Sequence, residues 1–169
     1  MPESALVVTV PEAEPLVSDW RAEHDWSARR GVPAHITILY PFVPTEKVDE
    51  TLLDQLRELF AAEVPISFEL ARVARFPEVA WLAPEPSQPF SALVELVAAR
   101  FPDYPPYEGA HDEVIPHLTV AEGGPDLQDR VEAAIADHLP ISAHASAVAF
   151  LFEGDDGLWS EAHRFPLAG

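Results

Sequence analysis

Two imidazoles and two hydroxyls occur in this chain at one repeated short spacing. His35-Ile36-Thr37 lies within PAHITILYPF, and His117-Leu118-Thr119 lies within IPHLTVAEG. An imidazole gives or takes a proton near neutral pH, and a threonine hydroxyl can donate to an oxyanion. In each phrase the His and the Thr are two residues apart in an apolar, β-branched run. If these runs are strands, both polar side chains share one face. Ile36, Ile38, Leu118 and Val120 then point the other way, toward a core. Two such strands side by side would form a cage fit for a phosphate and for acid–base chemistry without a metal. The plainer alternative is a pair of ordinary strand histidines whose ring nitrogens meet backbone groups.

One His-x-Thr carries little weight in a chain with seven His and five Thr. The pair carries more, because both members follow a proline (Pro33, Pro116) and both take the same place in a larger pattern. Ala5–Val10 reads as a buried strand stopped by Pro11, and Glu12 to Ser27 has helical spacing. The first motif strand, Pro33–Tyr40, follows. Thr45 is the expected N-cap of a helix over 46–62, with Val48, Leu52, Leu56, Leu59 and Phe60 as its apolar stripe. Strands over 66–76 and 79–83 come next, around Pro77-Glu78.

The second part repeats the scheme. Ser87 is the expected cap of a helix reaching Arg100, and a Pro- and Tyr-rich loop over 102–109 leads to the second motif strand, 115–121. A helix over 127–138 and strands over 141–152 and 158–165 complete the chain. Val64-Pro65-Ile66-Ser67 and Leu139-Pro140-Ile141-Ser142 open the third strand of each part alike, which marks an internal repeat of roughly 75–80 residues. The expected fold class is α+β: two pseudo-symmetric lobes of antiparallel sheet with outer helices around a central cleft. They form a single domain over 1–169, with repeat halves 1–76 and 77–169.

Composition narrows the partners. The formal charge is −19, with one lysine, Lys47, and nine scattered arginines. A protein that grips long RNA normally carries a basic stripe, because phosphate neutralisation supplies much of the affinity. A small or terminal phosphate is the better expectation, with no long nucleic acid. No apolar run is long enough to span a membrane, and no export signal opens the chain. With no cysteine at all, disulfides and thiolate chemistry are excluded, which fits a cytoplasmic protein. A monomer is expected.

These motifs resemble the two-histidine (2H) phosphoesterase superfamily, which includes 2′,3′-cyclic phosphodiesterases and 2′-5′ RNA ligase-like proteins. The resemblance covers nearly the whole chain. It is closest to a bacterial branch with phrases like PAHITILYPF, a Trp-x-x-Pro-x-Pro segment (Trp81 to Pro86) and PPYEG ahead of PHLTVAEG. It implies two lobes flanking a cleft, with His35, Thr37, His117 and Thr119 at the four signature positions. By that analogy His117 is the base and His35 the acid, although the sequence itself gives no preference. The implied activity is hydrolysis of a small cyclic phosphate or an RNA 3′ end. A phosphate or nucleotide sensor with little turnover, and RNA end ligation or healing, stand as alternatives.

For substrate contacts, Tyr40, Phe42 and Tyr107 can stack on a base, and Tyr107 can act as a lid. For Tyr40 and Phe42 a core position is the favoured reading. Trp81 fits either the core or the cleft rim. Arg30, with Arg29, can offer a guanidinium to a phosphate or remain a solvated pair. No metal or cofactor is expected: His24, His138, His144 and His163 have no ligand spacing, and only His111, beside Asp112 and Glu113, invites a loop contact. Gly123-Gly124 is an isolated turn, and no Gly-rich phosphate loop supports a nucleotide-dependent ligase.

Overall fold

A computed structural model describes residues 1–110 and 114–169. The strands are β1 (Ser4–Thr9), β2 (His35–Leu39), β3 (Ile66–Phe76), β4 (Val79–Glu85), β5 (Leu118–Glu122), β6 (Ile141–Ala145), β7 (Ala147–Glu153) and β8 (Trp159–Pro166). The helices are α1 (Glu14–His24), α2 (Trp26–Arg29), α3 (Glu50–Ala61), α4 (Gln88–Arg100) and α5 (Pro125–Ile135). Two antiparallel sheets result, ordered β2-β1-β7-β8 and β5-β4-β3-β6. The α+β class and the two-sheet arrangement agree with the expectation from the repeat.

The sheets do not follow the repeat halves along the chain. β3 turns at Pro77-Glu78 and joins β4 in the second sheet, while β7 returns to pair with β1 in the first. The helices interlock as well: α1 packs on β5, and α4 packs on β2. Each motif strand is thus the edge strand of its own sheet and rests on a helix from the opposite half. β2 and β5 approach one another, which brings the two motifs to a common cleft.

Strand alternation explains why the edges hold. Ile36, Ile38, Leu118 and Val120 are fully buried in one continuous core with Leu6, Leu56, Phe60, Phe90, Phe150 and Phe165. Slipping either motif strand by one residue would bury its His and Thr and expose these side chains. Among the described residues, no helix is long and apolar enough to cross a membrane.

Several boundaries differ from the sequence reading. Residues 45–47 form a separate 3₁₀ turn, and Asp49, not Thr45, caps α3: its carboxylate accepts from the Leu52 N–H at 2.8 Å. Asp49 adopts the extended backbone that a cap needs, and its carboxylate also suits the positive end of the helix. Ser87 precedes α4 but makes no side-chain cap bond. The expected helix over 12–27 breaks at Asp25, whose extended backbone restarts the chain as α2. The strand over 141–152 is interrupted at Ser146.

Replacing Asp49 by Ala should destabilise the fold by about 1 kcal/mol. Replacing Thr45 by Ala should stay within roughly 0.5 kcal/mol of wild type. Urea unfolding of the two variants checks the assignment, and the opposite ranking would return the cap to Thr45.

Candidate active site

His35, Thr37, His117 and Thr119 line one cleft of about 340 Å³ between the sheets. The imidazoles are anchored identically. His35 Nδ1 lies 2.8 Å from the Pro33 carbonyl, and His117 Nδ1 lies 2.7 Å from the Ile115 carbonyl. A carbonyl oxygen can only accept, so Nδ1 must carry the proton in both rings. Each neutral ring therefore keeps its lone pair on Nε2.

A matched pair of β-bulges extends the cleft face. The β1–β2 register runs Val7↔Thr37 then Leu6↔Leu39, and the β4–β5 register runs Trp81↔Thr119 then Ala80↔Ala121. In each motif strand one extra residue follows the Thr, so the position five after the His returns to the cleft. These residues are Tyr40 and Glu122, and both line it. The Tyr40 hydroxyl donates to Glu3 Oε1 at 2.7 Å, and its ring meets Trp159 edge-on at 5.9 Å. Burial, and then the Glu3 carboxylate, push the Tyr40 phenol above its ordinary pKa. Glu122 Oε1 accepts from the Trp26 backbone N–H at 2.8 Å, tying β5 to the start of α2.

The wall beside His35 rests on a buried ion pair. Arg21 Nε donates to Asp25 Oδ2 at 2.9 Å, and Arg21 Nη2 reaches Ser27 Oγ and the Val32 carbonyl. Asp25 Oδ1 accepts from both the Ser27 N–H and the Ser27 hydroxyl. With so many hydrogen bonds satisfied, two charges can stay buried together. The network fixes the break between α1 and α2, and so presents Trp26 at the cleft. At the opposite edge the Tyr107 N–H donates to the Tyr40 carbonyl at 2.7 Å. Burial pushes the Tyr107 phenol above its ordinary pKa, and the neighbouring Thr37 hydroxyl opposes this.

Both imidazoles are poor bases in the free protein. Desolvation lowers His35 to about 4, with Arg21 and His117 adding to the effect, while its Pro33 bond and Asp25 oppose it. Its ring is only half-buried, open at the cleft and enclosed by protein elsewhere. Burial also lowers His117, and its bond to Ile115 opposes this. Phe76 and Trp81 meet the His117 ring edge-on at 5.2 and 5.8 Å, which explains its desolvation. Each histidine is therefore mostly neutral at pH 7 in the unliganded protein.

Of the residues singled out in the sequence, His35, Thr37, His117, Thr119, Tyr40 and Tyr107 are brought together. Phe42 is not. It is buried against Phe101, Tyr104 and Phe150, where its ring fills the core and does not line this cleft. Trp81 lies behind His117 as packing and does not line the cleft. Arg30 also stands outside the lining: its guanidinium covers the Trp26 ring at 4.6 Å and donates to the Gly157 carbonyl. His111, Asp112 and Glu113 lie outside the described residues. Among those described, no three His, Cys, Asp or Glu side chains group to hold a metal. The residues that sequence reasoning missed are Asp25, Trp26, Ser27, Glu122 and Trp159. Glu122 had a readable signal, since it stands five after His117 as Tyr40 stands five after His35.

This geometry coincides with a family pattern: the model of the 2′-5′ RNA ligase superfamily matches residues 9–157. The chain belongs to that superfamily. Its fold is shared with TT0787 of Thermus thermophilus, with a TM-score of 0.66, 20% identity and coverage of 99% of this chain and 98% of that one. E. coli LigT, solved with 3′-AMP, superposes with a TM-score of 0.64 at 15% identity, each chain covered completely (100%). LigT in its apo form gives 0.61 at 18% identity and 99% coverage of both chains. No curated protein matches this chain. Members of this 2H phosphoesterase superfamily are enzymes of phosphodiesterase or ligase type.

His35 leaves a signature in folding. Its folded pKa of about 4 lies below the unfolded value of 6.5, so the unfolded chain binds more protons between those values. Its contribution therefore makes stability fall as the pH drops through that window, by less than about 1.4 kcal/mol per pH unit. Urea titrations of wild type and His35→Gln should show a shallower loss in the variant. Parallel curves would mean that His35 is not desolvated.

Proposed function

We propose that the protein is a phosphodiesterase that opens a small 2′,3′-cyclic phosphate, or a related cyclic phosphate or RNA terminus, by proton transfer between two histidines without a metal ion. The observation that carries this reading is the pair of identical Nδ1–H anchors, which leaves two Nε2 atoms and two threonine hydroxyls for one cleft. The nucleotide complexes of E. coli LigT, with 3′-AMP, NADP+ and ATP, support a small phosphate-bearing ligand.

The residues divide the work as follows. One neutral Nε2 takes a proton from water as the water oxygen bonds to phosphorus. The other histidine, protonated, delivers its proton to the ribose oxygen as the P–O bond breaks. Thr37 and Thr119 donate to non-bridging oxygens as charge builds there. Exchange with solvent then resets the pair. We assign His117 as base and His35 as acid. The low proton affinity of His35 supports this, because a protonated group with a depressed pKa is the stronger acid. The anion itself supplies the missing charge: a phosphate beside the ring favours the imidazolium.

Two measurements test this. His35→Ala and His117→Ala should each lower turnover of a 2′,3′-cyclic mononucleotide by about 10²–10⁴-fold, while wild-type hydrolysis persists in EDTA. Binding without product would make the cleft a sensor, and activity confined to oligonucleotides would favour RNA end healing. With both free-enzyme pKa values depressed, kcat/KM should peak below pH 6.5, and kcat should peak at a higher pH because bound anion raises both histidines. A kcat/KM maximum above pH 7 would contradict the neutral pair.

A further inference from the structure

Trp26 and Glu122 line the cleft yet take no part in the proton transfers. A tryptophan is usually well buried, but Trp26 is 51% exposed. The Arg30 guanidinium covers its ring at 4.6 Å and stands outside the lining, so the indole turns its uncovered side to the cleft. Two bonds back this platform: Arg30 Nη1 donates to the Gly157 carbonyl, and the Trp159 N–H donates to the Arg30 carbonyl at 2.7 Å. The bond from the Trp26 N–H to Glu122 Oε1 sets the carboxylate beside the indole. Oε2 has no protein partner among the described residues.

A carboxylate only accepts hydrogen bonds and repels phosphate, so Glu122 marks the end of the cleft away from the anion. At strand rise its Cα lies no more than roughly 10 Å from that of Thr119, a separation that a ribose and a base can bridge. In a 2′,3′-cyclic phosphate both secondary hydroxyls are esterified, which leaves the base edge and the 5′-hydroxyl as donors. Guanine is the common RNA base with two adjacent donors, N1–H and the N2 amino group. Adenine and cytosine set a ring-nitrogen acceptor beside their amino group, and uracil flanks its N–H with two carbonyls. A carboxylate matches two adjacent donors and repels an adjacent acceptor. Each of its oxygens can accept twice, so Oε1 keeps the Trp26 N–H as well. We propose that Trp26 and Glu122 form a guanine subsite, in which the base stacks on the indole and donates from N1 and N2 to the carboxylate. The assignment rests on the phosphodiesterase reading of the cleft and narrows its substrate to a guanosine 2′,3′-cyclic phosphate, free or at an RNA end.

The test compares wild type, Glu122→Gln and Trp26→Leu, each first shown to be folded by thermal melting. The readouts are kcat/KM on the 2′,3′-cyclic phosphates of guanosine, adenosine, cytidine, uridine and inosine, and Kd for the five 3′-mononucleotides by calorimetry. Wild type should prefer guanosine over adenosine, cytidine and uridine roughly 10–100-fold in both readouts. Inosine, which lacks only the N2 amino group, should lose roughly 10-fold against guanosine. Glu122→Gln sets an amide N–H against a base donor and should remove most of the guanosine preference. Trp26→Leu should weaken all five ligands roughly 5–100-fold and leave their order unchanged.

Hydrolysis of all five substrates at similar kcat/KM, or a guanosine preference that survives Glu122→Gln, would overturn the guanine subsite and leave the phosphodiesterase reading standing. Selective binding of 3′-GMP that Glu122→Gln abolishes, with no hydrolysis of any cyclic phosphate, would overturn the phosphodiesterase reading and uphold the subsite. A wild type that neither binds nor hydrolyses any of these nucleotides overturns both.

Discussion

Everything chemical in this cleft depends on a hydrogen bond from an imidazole Nδ1–H to the carbonyl two residues upstream. Without it a strand histidine can rotate and exchange tautomers, and neither nitrogen is committed to the solvent side. With it, the ring is held and Nε2 is the nitrogen left to accept a proton. The carbonyl must be free to accept, and this is arranged in both motifs by placing the His at the point where the chain enters a strand. Ile115 precedes Pro116, which restricts it to extended backbone, and Pro33 brings its own fixed φ. The prolines ahead of the motifs thus shape the segments whose carbonyls hold the rings.

The anchor would be of little use on an inner strand. β2 and β5 are both edge strands, so each has an unpaired side facing the other sheet. Exposed edges invite association with other chains. Here each lies on a helix from the opposite half, α4 beneath β2 and α1 beneath β5. The crossing of β3 and β7 between halves makes that exchange possible. The bulges then act where the edge would otherwise run straight, and return Tyr40 and Glu122 to the cleft. Fold and site are therefore one construction, since the interlock that completes the core also brings the motifs face to face.

What could be read from the sequence follows the range of the interactions involved. The His-x-Thr pair was legible because strand alternation is local, and the burial of Ile36, Ile38, Leu118 and Val120 follows directly from it. The α+β class was legible from the repeat. Thr45 and Asp49 both suit a cap, and only the backbone path separates a 3₁₀ turn from the helix behind it. The Arg21–Asp25 pair was hidden inside a helical spacing, since nothing local tells a buried ion pair from a solvated i,i+4 pair. Phe42 takes its core position for a tertiary reason: the cleft face passes through Tyr40, and two residues later the ring meets Phe101 and Tyr104.

The charge of −19 looks at odds with a phosphate site, and the lining sharpens the tension, for it contains no Lys or Arg among the described residues. Arg21 is nearby but committed to Asp25, and Arg30 is turned onto Trp26. The cleft nevertheless has a source of positive charge, namely the proton that either histidine can acquire. Burial makes that proton unfavourable while the cleft is empty and an adjacent anion makes it favourable, so charge arrives with the ligand. A fixed guanidinium would attract any anion at any pH and hold the more highly charged product more tightly than the substrate. In the proposed reaction, an imidazole pair with depressed proton affinity would instead couple binding to the proton that the chemistry needs. Neutral donors such as Thr37 and Thr119 can then bear on the phosphate without adding to that fixed attraction.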